Sequence, residues 1–281
     1  MRPTPLGPLG FRAGAAGHLG SAVNMATISR IAIYPLKSFD PLLVNESVLL
    51  SGGPLQYDRQ FALVNADGKF VNGKRMPQVH LLQVWLDPRE RILTASRRDD
   101  GQSQTWRIDS ERSAIERWFS DYFSDEVSLV ENGVSGFPDD NEAPGPTIVS
   151  EATLNVVASW FPGLTLDQVR LRFRANLEVS GVPPFWEDQL FLPQSGARAF
   201  QIGDVSLAGT NPCQRCVVPT RDPSTGQVWP EFAKKFAEFR AAQLPDWAPA
   251  DRFSHFYRLT TNTRSLGSGG RIRVGDPVIL G

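Results

Sequence analysis

From Ile28 onward the chain is a succession of short runs rich in β-branched and aromatic residues, each closed by a turn signal. This spacing limits the possible folds more than any other feature. "ISRIAIYPL", "SVLLS", "QFALVN", "LLQVWL", "RILTAS" and "TWRID" follow one another within about eighty residues. "NADGK" (Asn65 to Lys69) contains Asp-Gly, the strongest short hairpin signal, and "LDPRER" (Leu86 to Arg91) reads as a second hairpin turn. The series predicts an antiparallel meander and not an alternation of strands and helices. So many short strands expose unpaired edges unless the sheet closes, so a barrel or closed sheet with helices packed outside is expected. The expected fold class is mainly β with peripheral helices, α+β.

Two helical patterns interrupt the strands. In "DSERSAIERWFSDYF" (Asp109 to Phe123), Ile115, Trp118, Phe119, Tyr122 and Phe123 recur at helical spacing, with Asp109 or Ser110 as the cap. In "PEFAKKFAEFRAA", Phe232, Phe236 and Phe239 mark an amphipathic helix. A short helix is expected from Ser150 to Phe161, and strands at "VRLRFRANLEV", "ARAFQIGDVSLAG" and "RIRVGDPVIL". The polar, Pro- and Gly-rich "SGFPDDNEAPGPT" reads as a linker. The expected division is a disordered tail or upstream start over 1–27, with Met25 as a second candidate start. A β-barrel domain follows over 28–134, then the linker over 135–147 and a second β domain over 148–281. Some strands of the first half are free to pack into either half.

The chain has 281 residues and 41% hydrophobic content, enough for one large domain or two modest ones. Its formal net charge of -1 gives no global pull toward nucleic acid or anionic membrane. No run approaches the roughly 18 apolar residues that a membrane span needs. The N-terminal stretch has no apolar core of secretory type. With only two cysteines, a cytoplasmic, reducing setting is expected.

Both cysteines, Cys213 and Cys216, lie in "GTNPCQRCVVPTRDPSTGQ" (Gly209 to Gln227). A structural zinc site needs four ligands, and His18, His80 and His255 stand at no ligand spacing to one another. A redox dithiol normally opens a helix, whereas "VVPTRDPSTG" holds two prolines and two valines and is expected not to open one. Two ordinary buried cysteines are one reading. The other rests on Arg215 and Arg221 nearby and on Pro212, Pro219 and Pro223, which stiffen the loop. A rigid loop beside positive charge favours thiolate, and a soft metal centre needs only one thiolate if a cofactor supplies the other ligands. The residues alone leave both readings open. "GSGGRIRVGD" lacks the strand and helix context of a dinucleotide fingerprint.

"IAIYPLKS", "YDRQFALVNADGKFV", "LRFRANLEV", "PCQRCVVPTRDPSTG" and "RVGDPVIL" come in an order that resembles the MOSC family with its N-terminal β-barrel domain. Within the family the chain is similar to bacterial relatives of the mitochondrial amidoxime reducing component. The resemblance covers the chain from about Ile28 to its C-terminus, and the CxRC motif followed by TxDPxTG is its most specific part. It implies binding of the molybdenum cofactor, with Cys216, the second cysteine of the motif, as protein ligand to molybdenum and catalytic residue. Lys37 and Ser38, Arg59, Arg174 and Asn176 match cofactor contacts of the family, and Gln214 and Arg215 lie within the cysteine motif. An anionic phosphate and polar pterin edges call for such groups. Ser150 falls at another family contact, where a helix cap explains it equally well, and Phe256 or Tyr257 stands where a late aromatic contact is expected. Pro219 departs from the family pattern, which has a threonine there.

The implied activity is reduction of N-hydroxylated compounds such as amidoximes, hydroxylamines and N-hydroxylated bases. Electrons would come from a separate donor, a flavoprotein reductase acting through a ferredoxin or cytochrome. The alternative is a cofactor carrier or sulfur-transfer protein. Against sulfur transfer stands the lack of the pyridoxal-phosphate-dependent portion that sulfurases carry. Trp186, Glu187 and Asp188, in the loop from Gly181 to Gly196, either line a substrate entrance or fold that loop back on the sheet.

Overall fold

The computed structural model describes residues 25–281, so the expected tail up to residue 24 lies outside the described residues. The run "TISRIAI" forms the first strand, with Ile28, Ile31 and Ile33 buried. The strands are β1 (Thr27–Ile33), β2 (Leu42–Val44), β3 (Glu46–Leu49), β4 (Phe61–Asn65), β5 (Leu82–Asp87), β6 (Ile92–Arg97), β7 (Ser103–Arg107) and β8 (Val127–Glu131) in the first half. The second half holds β9 (Ile148–Ser150), β10 (Leu177–Ser180), β11 (Arg198–Ile202), β12 (Val205–Gln214), β13 (Arg258–Ser265), β14 (Gly270–Arg273) and β15 (Val278–Leu280). The helices are α1 (Ile108–Phe123), α2 (Glu151–Ser159), α3 (Leu166–Phe173) and α4 (Phe232–Ala242). The fold is mostly β with helices outside, as the sequence predicts.

The largest sheet runs β15-β11-β12-β13-β9-β10-β1-β2. It curls until the start of β1 reaches the segment that leads into β15: Thr27 bridges Pro277, the Val278 N–H donates to the Ala26 carbonyl at 2.8 Å, and the Ile28 N–H to the Asp276 carbonyl at 2.9 Å. Backbone groups that would form an open edge are thereby paired. The halves of the chain interleave, because β1 lies against β10 and β3 pairs with β14. The remaining strands of the first half form two separate sheets, β4-β8 and β5-β6-β7. These sheets and α1 enclose a core around Phe61, Leu93, Trp106, Ile115 and Phe119. A second core, around Ile31, Leu177, Phe200 and Leu207, fills the large sheet, and a third lies under α2, α3 and α4 around Phe161, Phe173 and Phe232.

Three local readings change. First, α1 starts at Ile108, and neither Asp109 nor Ser110 caps it. Glu111 reaches back instead and accepts the Arg107 N–H at 2.7 Å. Second, "VRLRFRANLEV" is not one strand. Thr165 and Gln168 form a reciprocal capping box, Val169 and Phe173 are buried four residues apart, and the segment is helical until Arg174 closes it in a left-handed conformation (φ 53°). Third, Val218–Thr220 does form one 3-10 turn after the cysteines. Pro219 is tolerated because a first-turn residue has no helical partner for its N–H.

The short turn Trp186–Leu190 packs flush on β12, where a Cβ on Gly209 would lie 2.2 Å from the Leu190 carbonyl oxygen. We expect Gly209→Ala to destabilise the protein by about 2–3 kcal/mol in urea unfolding, because the clash is with backbone. Unchanged stability would show that this contact is not tight.

Candidate functional site

Residues just after β1, just before β9 and β10, at the end of β12 and in β13 lie together on one side of the large sheet, and the first half faces them. The two enclose a cleft of about 880 Å³. Lys37, Ser38, Arg59, Arg174, Asn176, Gln214, Arg215 and Cys216 all line it, although they come from four separate motifs. Ser150 and Phe256 do not.

The cationic side of the cleft is organised by Asp58 and Tyr34. Backbone bonds lay "YPLK" beside "RQF": the Arg59 N–H donates to the Tyr34 carbonyl at 2.8 Å, and the Lys37 N–H to the Phe61 carbonyl at 2.8 Å. The buried Tyr34 ring has two guanidinium groups against it, Arg174 at 4.1 Å and Arg59 at 5.4 Å from its centroid. Asp58 is buried. One of its oxygens accepts the Tyr34 N–H at 2.8 Å and the Asn176 amide at 3.1 Å, while the other pairs with Arg59. Asn176 also donates to the Ala32 carbonyl at 3.0 Å and accepts the Thr147 N–H at 3.2 Å, so its amide already serves as a stitch between strands.

Arg174 has no carboxylate partner and no side-chain hydrogen bond among the described residues, and burial pushes its guanidinium below the ordinary value. Lys37 is buried, donates to the Phe137 carbonyl at 2.9 Å and pairs with Asp139. Burial lowers its ammonium, Arg59 and Arg174 add to the shift, and Asp139 opposes it. Ser38 stands next to it with a positive φ of 78°.

Cys213 and Cys216 are both free thiols, Cys213 half-buried and Cys216 exposed. Arg215 donates to the Cys213 sulfur at 3.2 Å and to the Phe173 carbonyl at 2.8 Å, so its charge sits at Cys213. Cys216 receives only the Val218 N–H, at 3.5 Å, and otherwise presents its sulfur to the cleft. Gln214, exposed at the end of β12, pairs in register with Arg258. The loop beyond is held from below by the buried Arg172, which donates to the Pro219 carbonyl at 2.8 Å and to that of Arg221. Asp222 closes the following turn by accepting the Ser224 N–H at 2.9 Å and the Thr225 N–H at 3.0 Å.

His80 enters the cleft from the first half. Burial, with the charges of Arg221 and Arg174, holds its imidazole down at about 4, so it is neutral at neutral pH. Reading for cations and thiols passes over Tyr34, Asp58 and His80, and it does not single out Arg172, which serves the loop from beneath. Tyr34 and Asp58 lie inside the matched motifs, and Arg172 lies two residues before Arg174.

Ser150 is fully buried at the far end of β9 from the cleft. It caps α2, its hydroxyl accepting the Thr153 N–H at 2.9 Å. Phe256 stacks on Phe253 with ring centroids 5.7 Å apart, and Tyr257 packs edge-on against Phe236. The Gly181–Gly196 loop folds back on the sheet. Glu187 is buried, accepting the Ser150 N–H at 3.2 Å and the Thr153 hydroxyl at 3.0 Å. Asp188 is buried against Arg240.

Residues 25–126 match the family model for the MOSC N-terminal beta barrel domain, and residues 147–279 match that for the MOSC domain. The chain belongs to the MOSC family. It is 23% identical over 319 residues to mitochondrial amidoxime reducing component 2 of Rattus norvegicus, covering 97% of this chain and 88% of that protein. It is 24% identical over 301 residues to mitochondrial amidoxime-reducing component 1 of Homo sapiens, covering 92% and 83%. It is also 24% identical over 277 residues to the Homo sapiens molybdenum cofactor sulfurase, a match of 82% of this chain that spans only 30% of the sulfurase. No helix among the described residues is long and apolar enough to cross a membrane.

Burial, and then the neighbouring Asp188, push the Glu187 carboxyl up to about 8. Below its ordinary value of 4.5 the group is neutral both folded and unfolded. As pH rises from there the unfolded chain releases the proton while the fold retains it, so stability falls up to about 8 and then levels. We expect Glu187→Gln to match the wild type in thermal unfolding at pH 4 and to exceed it by about 2–4 kcal/mol at pH 8. A pH-independent difference would show that Glu187 is ionised in the fold.

Proposed function

We propose that this chain is a molybdenum-cofactor enzyme that reduces N-hydroxylated compounds with electrons from a separate donor. One observation carries the reading: the exposed Cys216 sulfur and the Lys37, Arg59 and Arg174 cations face a single cleft between the two halves. Two features fit a cofactor with an anionic tail and a soft metal. Arg174 keeps its guanidinium without a carboxylate, and Cys216 is a thiol without a covalent partner. The cleft volume lies in the range of small-molecule sites. Relatives named for amidoxime reduction cover most of this chain, which supports the reductase reading.

When bound, the cofactor supplies the two-electron chemistry that takes oxygen from an N-hydroxyl group. The chain's own residues bind and orient. Cys216 would supply the sulfur ligand to the metal, from a loop fixed by Arg172 and Asp222 that limits movement of the sulfur. Arg59, Arg174 and Lys37 hold the anionic part. The Tyr34 ring attracts both guanidinium groups, and Ser38 and Gln214 present polar groups to the ligand edge. Each turnover consumes two electrons and two protons and releases water with the reduced nitrogen compound. His80, held neutral at neutral pH, lines the cleft without adding a further charge to its cations. A flavoprotein reductase acting through a ferredoxin or cytochrome suits the donor, and the two free thiols suit a reducing, cytoplasmic setting.

The test is metal and pterin content, with donor-driven benzamidoxime reduction, for protein made in a host that synthesises the cofactor. The wild type is expected to hold near-stoichiometric molybdenum and to turn over. Cys216→Ala is expected to lose turnover, and Arg174→Met to weaken cofactor retention about tenfold or more, the loss of a charged hydrogen bond. A folded wild type without molybdenum, after cofactor supply is confirmed, overturns the reading. Loaded wild type that reduces nothing favours instead the carrier or sulfur-transfer reading, to which the sulfurase match belongs.

A further inference from the structure

The segment between β8 and β9 forms one wall of the cleft and is fastened along its length. The Phe137 N–H donates to the Arg59 carbonyl at 2.9 Å, and the Gly145 N–H to the Thr263 carbonyl at 2.9 Å. Asp140 accepts the Asn262 amide at 3.1 Å. Between these fastenings Asp139 turns its carboxylate onto Lys37. The pair is lopsided, with the Lys37 side chain 9% exposed and that of Asp139 78%. The charges of Arg59 and Arg174 act on the same carboxylate, and Arg174 has none of its own. A cluster of held cations is therefore answered by a carboxylate that faces solvent on a strap.

We propose that Asp139 is an internal counter-ion occupying the anion subsite at Lys37, that a phosphate monoester binds there by displacing it, and that Asp139 thereby sets the affinity of the site. The proposal rests on the reading of Lys37, Arg59 and Arg174 as an anion-binding cluster. Desolvation is outweighed by Arg59, Lys37 and Arg174, which hold the Asp139 carboxyl down at about 2. Its exposed side stays in water, so displacing it costs less than breaking a fully buried pair. A phosphate dianion brings more charge and more acceptor oxygens to the same cations than one carboxylate does. The Phe137 carbonyl continues to hold Lys37 in place when Asp139 leaves. If Asp139 instead served to orient Lys37, its removal would weaken anion binding, the opposite sign.

The experiment titrates phenyl phosphate into the full chain, made in a host without the cofactor pathway, by calorimetry for wild type, Asp139→Asn and Lys37→Met. Asp139→Asn is expected to bind about three- to fivefold more tightly, and Lys37→Met at least about tenfold more weakly. Phenyl phosphate is expected to speed hydrogen exchange over residues 138–143 in the wild type, whereas in Asp139→Asn that exchange is already fast without ligand. Equal or weaker binding by Asp139→Asn, with Lys37→Met still impaired, overturns the counter-ion role and leaves the anion cluster standing. Identical affinities in all three proteins, or no binding in any, overturns both.

Discussion

The buried carboxylate of Asp58 is the point on which the site depends. It accepts from the backbone of Tyr34, from the side chain of Asn176 and from Arg59, and so fixes three segments distant in sequence at one place. It also places a negative charge beneath a cleft that collects Lys37, Arg59 and Arg174, whose mutual repulsion would otherwise oppose closure. Breaking a buried charged contact of this type costs roughly 3–5 kcal/mol, more than most single contacts in a protein. Tyr34 completes the arrangement, since its ring attracts both guanidinium groups without neutralising either.

Much of the fold is legible in the sequence because strand periodicity and turn chemistry agree locally. The Asn65–Lys69 turn and the Asp87 turn both close where Asp-Gly and Asp-Pro place them. Local reading fails where a weaker local signal settles the outcome. In "VRLRFRANLEV" the β-branched and aromatic content suggests a strand, but the capping box at Thr165 and Gln168 and the four-residue spacing of Val169 and Phe173 decide for a helix. Periodicity alone does not separate the two in so short an apolar stretch. The interleaving of β1 and β3 with the second half is a long-range pairing that no local pattern encodes.

The site divides in the same way. Residues chosen for charge or for sulfur reach the cleft, because those groups are costly to bury without a purpose. Ser150 and Phe256 do not, because a hydroxyl that caps a helix and an aromatic that fills a small apolar cluster satisfy ordinary structural demands. Asn176 shows the limit of reading by residue type: it lies in the cleft, yet its amide is already committed to Asp58, Ala32 and Thr147. Arg215 likewise stands beside both thiols in sequence but delivers its charge to Cys213 alone. Loop geometry decides which neighbour a guanidinium meets, and spacing does not contain that information.

The bridge between Thr27 and Pro277 also fixes a distance within the fold. Strand β1 has seven residues, with the bridge at its start and Lys37 beyond its end. At about 3.3 Å per residue that separates the bridge from the cleft by about 20 Å. Strand β15 runs on from Pro277 in the direction opposite to β1. The cleft is bounded by loops and by the first half, and this paired seam takes no part in its lining.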